Sequence, residues 1–344
     1  MGATIVGAAQ GGAVNGRLML YQDLIERLKA IATVRRDVSL ARHTTFGIGG
    51  PADVFVTVRN ADELARAVRD VREAGAPLFI LGSGSNVLIG DRGVRGVVID
   101  NQAKAVSVSP LRIDADGPIA VPAAFATIPH EELSVVHLES GTSFAAVARQ
   151  LSRQGLTGIE WACGIPGTLG GAAIYNAGAY DGCLADVLLA VTLLDSEEAV
   201  RHMAAAELGL AYRTSAILRG ELPGALVLAV EIALRRGDPA RTMARVNELD
   251  RQRLDAQPRG RNSGSVFKNP PGRHAWELID AVGLRGERIG DAQISSKHCN
   301  FIENLGAATA SDVAALIDEA QRRVRSQFDI VLEREVEFVG EGFA

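Results

Sequence analysis

Cysteine is scarce in this chain. There are three in 344 residues, Cys163, Cys183 and Cys299, and no Cys-x-x-Cys pair. An odd, scattered set reads as reduced thiols in a cytosolic protein, not as a disulfide framework. No Cys/His cluster has ligand spacing, so no metal is expected. Basic excess is also lacking: 36 Lys+Arg stand against 41 Asp+Glu, a net charge of −5. That argues against a nucleic-acid partner, which calls for a basic face. It leaves room for an anionic small ligand held by a few local Arg or Lys side chains. The stretch Met1–Asn15 has no basic flank, its first arginine being Arg17, and is too short and glycine-rich for a membrane span. Residues 1–20 read as a flexible tail. The protein is expected to be cytoplasmic, with no membrane partner. Internal repeats are absent, and there is no low-complexity tract beyond that tail.

What is present is ordinary globular composition, 47% hydrophobic and 22% charged. The length is enough for two or three domains and for a core that needs no staples. Tyr21–Ile31 is amphipathic. Val54–Val58 reads as a buried strand. Asn60 with Glu63 caps a helix that carries Leu64, Val68 and Val71 on one stripe and ends at Gly75. Leu78–Leu81 and Gly96–Ile99 are short apolar strands, so the first hundred residues form a small α/β unit. Pro110–His130 is irregular and is expected to be an exposed excursion. Phe144–Leu151 is a helix, and Leu188–Leu194 and Leu226–Leu234 are strands. Ala240–Leu254 is a charged helix broken at Gln257-Pro258. Ala275–Ala281 and Ser311–Phe328 are helices, and Ile330–Val339 reads as a closing strand.

Three glycine-rich loops punctuate this pattern. They are Gly47-Ile48-Gly49-Gly50, Gly82-Ser83-Gly84-Ser85-Asn86, and Gly164-Ile165-Pro166-Gly167-Thr168-Leu169-Gly170-Gly171 with Asn176-Ala177-Gly178 soon after. Without a Cβ, backbone N–H groups can approach a phosphate closely. The second loop begins like a dinucleotide fingerprint, but Val87 stands where the third glycine belongs and an extended Val87-Leu88-Ile89 follows. One such loop is most simply a tight turn. Three together favour a shared diphosphate ligand.

In order along the chain stand Gly-Ser-Gly-Ser-Asn-Val-Leu-Ile (82–89), Gly-Ile-Glu-Trp-Ala-Cys-Gly-Ile-Pro-Gly-Thr-Leu-Gly-Gly-Ala (158–172) and Asn-Ala-Gly-Ala-Tyr (176–180). Tyr-Arg-Thr-Ser (212–215), Ser-Gly-Ser-Val-Phe-Lys-Asn-Pro (263–270) and Leu-Glu-Arg-Glu-Val (332–336) complete the series. The set resembles the UDP-N-acetylenolpyruvoylglucosamine reductases over roughly Tyr21 to Gly340. No tyrosine lies between Arg213 and Ser265, so the chain resembles the shorter subtype. The resemblance implies an α+β, vanillyl-alcohol-oxidase-like (PCMH-type) FAD-binding fold. It has two subdomains (21–100 and 101–238), a third α/β substrate-binding domain (239–329) and a closing strand (330–344). The implied cofactor is FAD, with NADPH as electron donor and UDP-N-acetylglucosamine enolpyruvate as substrate. The implied site for FAD is Gly47, Gly49, Gly50, Gly82, Ser83, Gly84, Ser85, Asn86, Val87, Leu88, Gly164, Ile165, Pro166, Gly167, Gly170, Gly171, Ala172, Asn176, Ala177 and Gly178. The protein is expected to act as a monomer.

The implied reaction sends hydride from flavin N5 to C3 of the enolpyruvyl group and a proton to C2. By resemblance Ser265 donates that proton, and Lys268 with nearby backbone N–H groups would ease loss of it. Arg213 would hold the substrate carboxylate and the enolate charge. Strand alternation puts Glu333, Glu335 and Glu337 on one face, so periodicity does not single out Glu335. The family motif selects it, as a partner of Arg213. Tyr212, Lys268, Asn269 and His298 would line the nucleotide-sugar site. Two alternatives remain open on the residues. One is a flavin oxidase of the same fold acting on an alcohol or sugar, with His43 as a candidate covalent link. The other is a non-catalytic nucleotide-sugar-binding protein.

Overall fold

The computed structural model describes residues 5–6, 21–111 and 121–343. The first sheet runs in the order Ile5–Val6, Leu78–Leu81, Val94–Asn101, Pro51–Val58, Thr33–Ser39. Its three central strands are parallel and its two edges antiparallel. The central strands are buried on both faces and read as apolar runs, as parallel strands do. Of the expected N-terminal tail, Ile5–Val6 pairs with Leu78–Phe79; the rest lies outside the described residues. Thr33–Ser39 has no apolar alternation, with only Val34 and Val38 part-buried, which is why the sequence does not announce it.

The helix Ala61–Glu73 crosses between sheets. Asn60 Oδ1 accepts from Glu63 N at 2.8 Å, the cap expected from sequence. Leu64, Val68 and Val71 share a core with Leu194, Leu226 and Leu228 of the second sheet. Glu139, buried in that second sheet, accepts from Ala61 N and Ala105 N, both at 2.8 Å. A carboxylate removed from water needs such donors.

The second sheet is antiparallel, in the order Val200–Ala204, Leu188–Leu194, Leu226–Arg236, Leu133–Glu139, Val106–Pro110. The irregular stretch before it is not simply an exposed excursion. Residues 112–120 lie outside the described residues, but Leu111 and Phe125 are buried in the core of this sheet, and Phe125 reaches Gly158 and Leu234. The helix Phe144–Arg153 packs on the same core.

The long helix Pro239–Ala256, expected in the substrate-binding segment, packs instead on the second unit. Val246 and Leu249 enclose Cys163. Asp250 pairs with Arg149, Tyr180 Oη donates to Leu249 O at 3.0 Å, and Thr242 Oγ1 donates to Ser152 O at 2.7 Å. The helix has a narrow apolar stripe, and that stripe meets its partner 80 to 100 residues back in the chain.

The third core gathers the helices Ala275–Ala281 and Ala310–Phe328 with a small antiparallel sheet, Arg288–Ile289, Ala292–Ile294 and Ile302–Asn304. Phe46, Ile48 and Leu88 from the first unit enter this core. The closing strand is shorter than expected. Only Glu337–Val339 is a strand, parallel to Val87–Ile89. Before it, residues 330–336 lie along the Ser265 segment with one isolated β-bridge, Phe267 to Arg334, and no ladder. Period-two alternation therefore fails there. Glu333 is exposed and pairs with Lys268, whereas Glu335 and Glu337 turn inward to different partners.

Candidate active site

Segments far apart in sequence converge on one cleft. Its walls include Ser85 and Asn86, Ile165 and Pro166, Gly178, Arg213, Arg253 and Gln257, Ser263 to Ser265, and Glu335. The serine and glutamate are placed by backbone pairing. Val266 O accepts from Glu335 N at 2.8 Å, and Lys268 N donates to Glu333 O at 2.9 Å. Asn300 clamps the same turn, donating to Phe267 O at 2.8 Å and accepting from Phe267 N at 2.9 Å. Asn86 ties the second glycine loop to the glutamate: its Nδ2 donates to Glu335 O at 2.9 Å, and its carbonyl accepts from Glu337 N at 3.0 Å.

Arg213 sits in a tight turn closed by reciprocal bonds between Ala211 and Thr214, each at 3.2 Å. Its backbone is left-handed, φ 53°, a conformation that costs a residue with a Cβ about 1–2 kcal/mol and that the turn must hold. Its Nη2 donates to Gly178 O at 3.0 Å. Its Nε lies 2.9 Å from Glu335 Oε1, an ion pair in which the N–H is not aligned for a hydrogen bond. Burial pushes the Glu335 carboxyl above its ordinary range, and the Arg213 charge works against that rise.

A second cavity lies between the two large sheets, lined by Ile80, Gly82, Asn101, Ser140, Thr168, Gly170, Gly171 and Ile174. Its walls close tightly. A Cβ on Gly82 would lie 2.8 Å from Thr168 Oγ1, and one on Gly170 would lie 3.0 Å from Ser140 Cβ. Gly84 is left-handed at φ +62°, and a Cβ there would fall on the His43 carbonyl. The loop Gly82–Asn86 therefore connects the two cavities, one end in each.

The expected site residues divide. Ser83 donates to Ser85 Oγ at 3.2 Å. Val87 and Leu88 are strand residues whose side chains enter separate cores. Gly170, Gly171 and Ala172, read from sequence as loop, belong to the short helix Leu169–Tyr175, and Ala172 is core. Gly167 O accepts from Phe144 N at 3.0 Å, and Ala177 O accepts from Leu184 N at 3.0 Å. Gly47, Gly49 and Gly50 line neither cavity; they lie against Arg261, the Leu40–Ala41 backbone and the Asp91–Gly93 backbone. Gly164 makes room for the Arg253 stem, whose Cδ would be 2.5 Å from a Cβ. The Asn176 side chain is engaged by protein, donating to Ala211 O at 3.1 Å and accepting from Ala185 N at 3.0 Å.

The four expected substrate contacts do not line the cleft. Tyr212 is 62% exposed, with the Arg213 guanidinium over its ring. Lys268 pairs with Glu333. Asn269 Oδ1 caps the helix at Ala275 N, 3.0 Å away. His298 is wedged between Trp276 and Phe301, and burial holds its imidazole below the usual pKa. His43 stacks on Phe55 at 4.5 Å.

Sequence reading missed Arg253 and Gln257. Arg253 is half-buried and, among the described residues, makes no ion pair or hydrogen bond through its guanidinium. Burial lowers its pKa. A desolvated cation facing a cleft favours an anionic ligand. Nothing in the local sequence distinguishes it from Arg241, Arg245 and Arg251 on the same helix.

Two sheets facing across a cavity that glycines keep open, with a third unit closing an arginine-lined cleft, fit the class of FAD-dependent oxidoreductases. A family profile described as FAD binding domain matches residues 52–204. Another, described as the C-terminal domain of UDP-N-acetylenolpyruvoylglucosamine reductase, matches residues 255–339. UDP-N-acetylenolpyruvoylglucosamine reductase 2 of Symbiobacterium thermophilum is 41% identical over 92% of this chain and 97% of its own length. The reductase of Anaeromyxobacter dehalogenans is 42% identical over 89% of this chain and 85% of its own. The crystal structure of the Thermus caldophilus reductase superposes with a TM-score of 0.70 at 36% identity, covering 90% of this chain and 99% of that one. The chain belongs to the UDP-N-acetylenolpyruvoylglucosamine reductase family.

Proposed function

We propose that this protein reduces UDP-N-acetylglucosamine enolpyruvate to UDP-N-acetylmuramate, a step in making peptidoglycan precursors, with NADPH as electron donor. The observation that carries this reading is the convergence of Ser265, Arg213 and Glu335 on one cleft, beside the loop Gly82–Asn86. The residues present fit FAD. Gly82, Thr168, Gly170 and Gly171 wall a cavity that a single Cβ would narrow, so backbone and hydroxyl groups are what a diphosphate would meet. Bound FAD supplies the hydride.

The chain's own residues do the rest. Arg213 keeps guanidinium N–H groups beyond those facing Gly178 and Glu335, and these hold the substrate carboxylate and stabilise negative charge as it grows. Ser265 Oγ gives its proton to C2. Lys268 is paired with Glu333, and Arg213 and Glu335 are the charged groups that share the cleft with Ser265, so the help expected of Lys268 falls to them. Arg253 and Gln257 face the anionic end of the ligand.

The test separates two half-reactions. The purified protein should be yellow, and NADPH oxidation should rise on adding the enolpyruvyl substrate. In Ser265→Ala, flavin reduction by NADPH should persist while reoxidation by substrate falls by about 10²–10⁴-fold. No stimulation of the unaltered enzyme by substrate would sink the reading. Equal loss of both half-reactions in the variant would make Ser265 a folding or binding residue.

A further inference from the structure

The short helix Leu169–Tyr175 ends where Asn176 turns left-handed, φ 42°. That break sends two consecutive side chains to opposite halves of the Arg213–Glu335 pair. Tyr175 Oη donates to Glu337 Oε1 at 2.6 Å, two residues beyond Glu335. Asn176 Nδ2 donates to Ala211 O at 3.1 Å, the carbonyl that opens the Arg213 turn. Its Oδ1 accepts from Ala185 N at 3.0 Å, anchoring the amide from the other side. Two residues further on, Gly178 O receives Arg213 Nη2.

We propose that Tyr175 and Asn176 are positioning residues that set the geometry of the Arg213–Glu335 ion pair, and through it the protonation step. The proposal rests on the reaction assigned above. Neither side of the pair is held well by its own segment. Arg213 sits in a strained turn, and Glu335 lies just before the three-residue strand Glu337–Val339, where regular pairing begins. The helix end bonds on one side to Glu337, two residues past Glu335, and on the other to the carbonyl that opens the Arg213 turn. Burial and the neighbouring Glu337 carboxylate drive the Tyr175 hydroxyl far above its ordinary pKa, so it remains a donor at every working pH. A buried phenol-to-carboxylate hydrogen bond of this kind is directional, and charge assistance makes it stronger than a neutral one.

Glu335 reports on the geometry. Arg213 and Lys268 both lower its pKa against burial, and Arg213 is the larger influence. Loosening Arg213 from Glu335 should therefore raise the apparent pKa that disappears from the reoxidation profile in Glu335→Gln. In Tyr175→Phe, which removes one oxygen and preserves the ring, that pKa should rise and the reoxidation rate should fall about tenfold, while bound FAD and the NADPH half-reaction stay within twofold of the unaltered enzyme. Asn176→Gly keeps the left-handed backbone and loses both amide bonds; the same upward shift is expected. Glu337→Gln retains the acceptor for Tyr175 and should behave nearly as the unaltered enzyme, whereas Glu337→Ala should copy Tyr175→Phe, with no further loss in the double variant. Substrate affinity of the oxidised enzyme, measured by calorimetry, should weaken in step with reoxidation because Arg213 also holds the carboxylate. The proposal is overturned if Tyr175→Phe and Asn176→Gly lower the melting temperature yet leave the Glu335 titration and the reoxidation rate unchanged. It is also overturned if both half-reactions fall together. Failure of the reaction assignment is a different result, since the unaltered enzyme itself would then ignore the substrate.

Discussion

The cavity between the sheets and the cleft beneath the third unit share the loop Gly82–Asn86 but are built on opposite principles. The cavity is walled by glycines, Ser140 and Thr168 together with the apolar Ile80, Ile174, Leu226 and Val227, and at Gly82 and Gly170 a Cβ would crowd the facing wall. The cleft is made of side chains, and each is aimed by a segment that another segment holds: Arg213 by Asn176 and Gly178, Glu335 by Asn86 and Val266. A backbone wall tolerates no added atoms. A side-chain constellation tolerates bulk nearby but not the loss of a brace. The two should therefore fail in different ways, the first through stability and cofactor retention, the second through rate with the fold intact.

The largest effect should come from the cleft. Arg213→Ala removes the carboxylate clamp and leaves Glu335 buried without its counter-charge. Reoxidation by substrate should fall about 10²–10³-fold, with flavin content unchanged, in stopped-flow traces. A variant that instead loses its flavin would erase the distinction drawn here. Next comes the loop Gly82–Asn86 that joins the two cavities. Gly84→Ala adds a methyl against the His43 carbonyl in a left-handed residue, and should cost about 2–4 kcal/mol in urea unfolding together with FAD retention. Gly75→Ala is the matched control: φ is +62° there too, but nothing lies within 4 Å of the new Cβ. It should cost only about 1 kcal/mol, with full flavin occupancy. Equal losses at the two glycines would mean that backbone angle, not contact with the His43 carbonyl, governs both.

The smallest effect should lie outside both regions. Glu231 accepts from His137 and His202 on the second sheet, and the first of these bonds raises the His137 pKa. A raised histidine pKa adds stability that is complete below the unfolded value and is lost as pH rises through the folded one. His137→Ala should be less stable by about 0.5 kcal/mol at pH 5.5 and indistinguishable at pH 9, because the pair is half-exposed. Both half-reactions should be untouched. The opposite pH trend would refute the assigned charge state.

The elements most legible in sequence were those with a strong local pattern. The Asn60 cap, the strands Leu78–Leu81 and Leu188–Leu194 and the helix Ala275–Ala281 stand where periodicity puts them. Thr33–Ser39 escaped notice because an edge strand exposed on most positions has no alternation to read. The segment 330–336 was read as part of the closing strand, yet its partners are loops, and no ladder forms over most of its length. In the site, the motif residues Ser265, Arg213 and Glu335 line one cleft. Lys268 and Asn269, named from the same run, turn to Glu333 and to the helix at Ala275.

By itself, the sequence determined the alternation of helices and strands, the family, and which three residues deserve suspicion, since these depend on local spacing and on motif order. Only tertiary structure decided that Asn176 braces Arg213, that Asn86 holds the Glu335 backbone, and that Arg253 faces the cleft unpaired while other arginines of its helix do not. Those facts arise from contacts between residues separated by 35 to 249 positions. Burial and charge at such a junction are set by whatever the fold brings alongside, and no pattern within either segment records it.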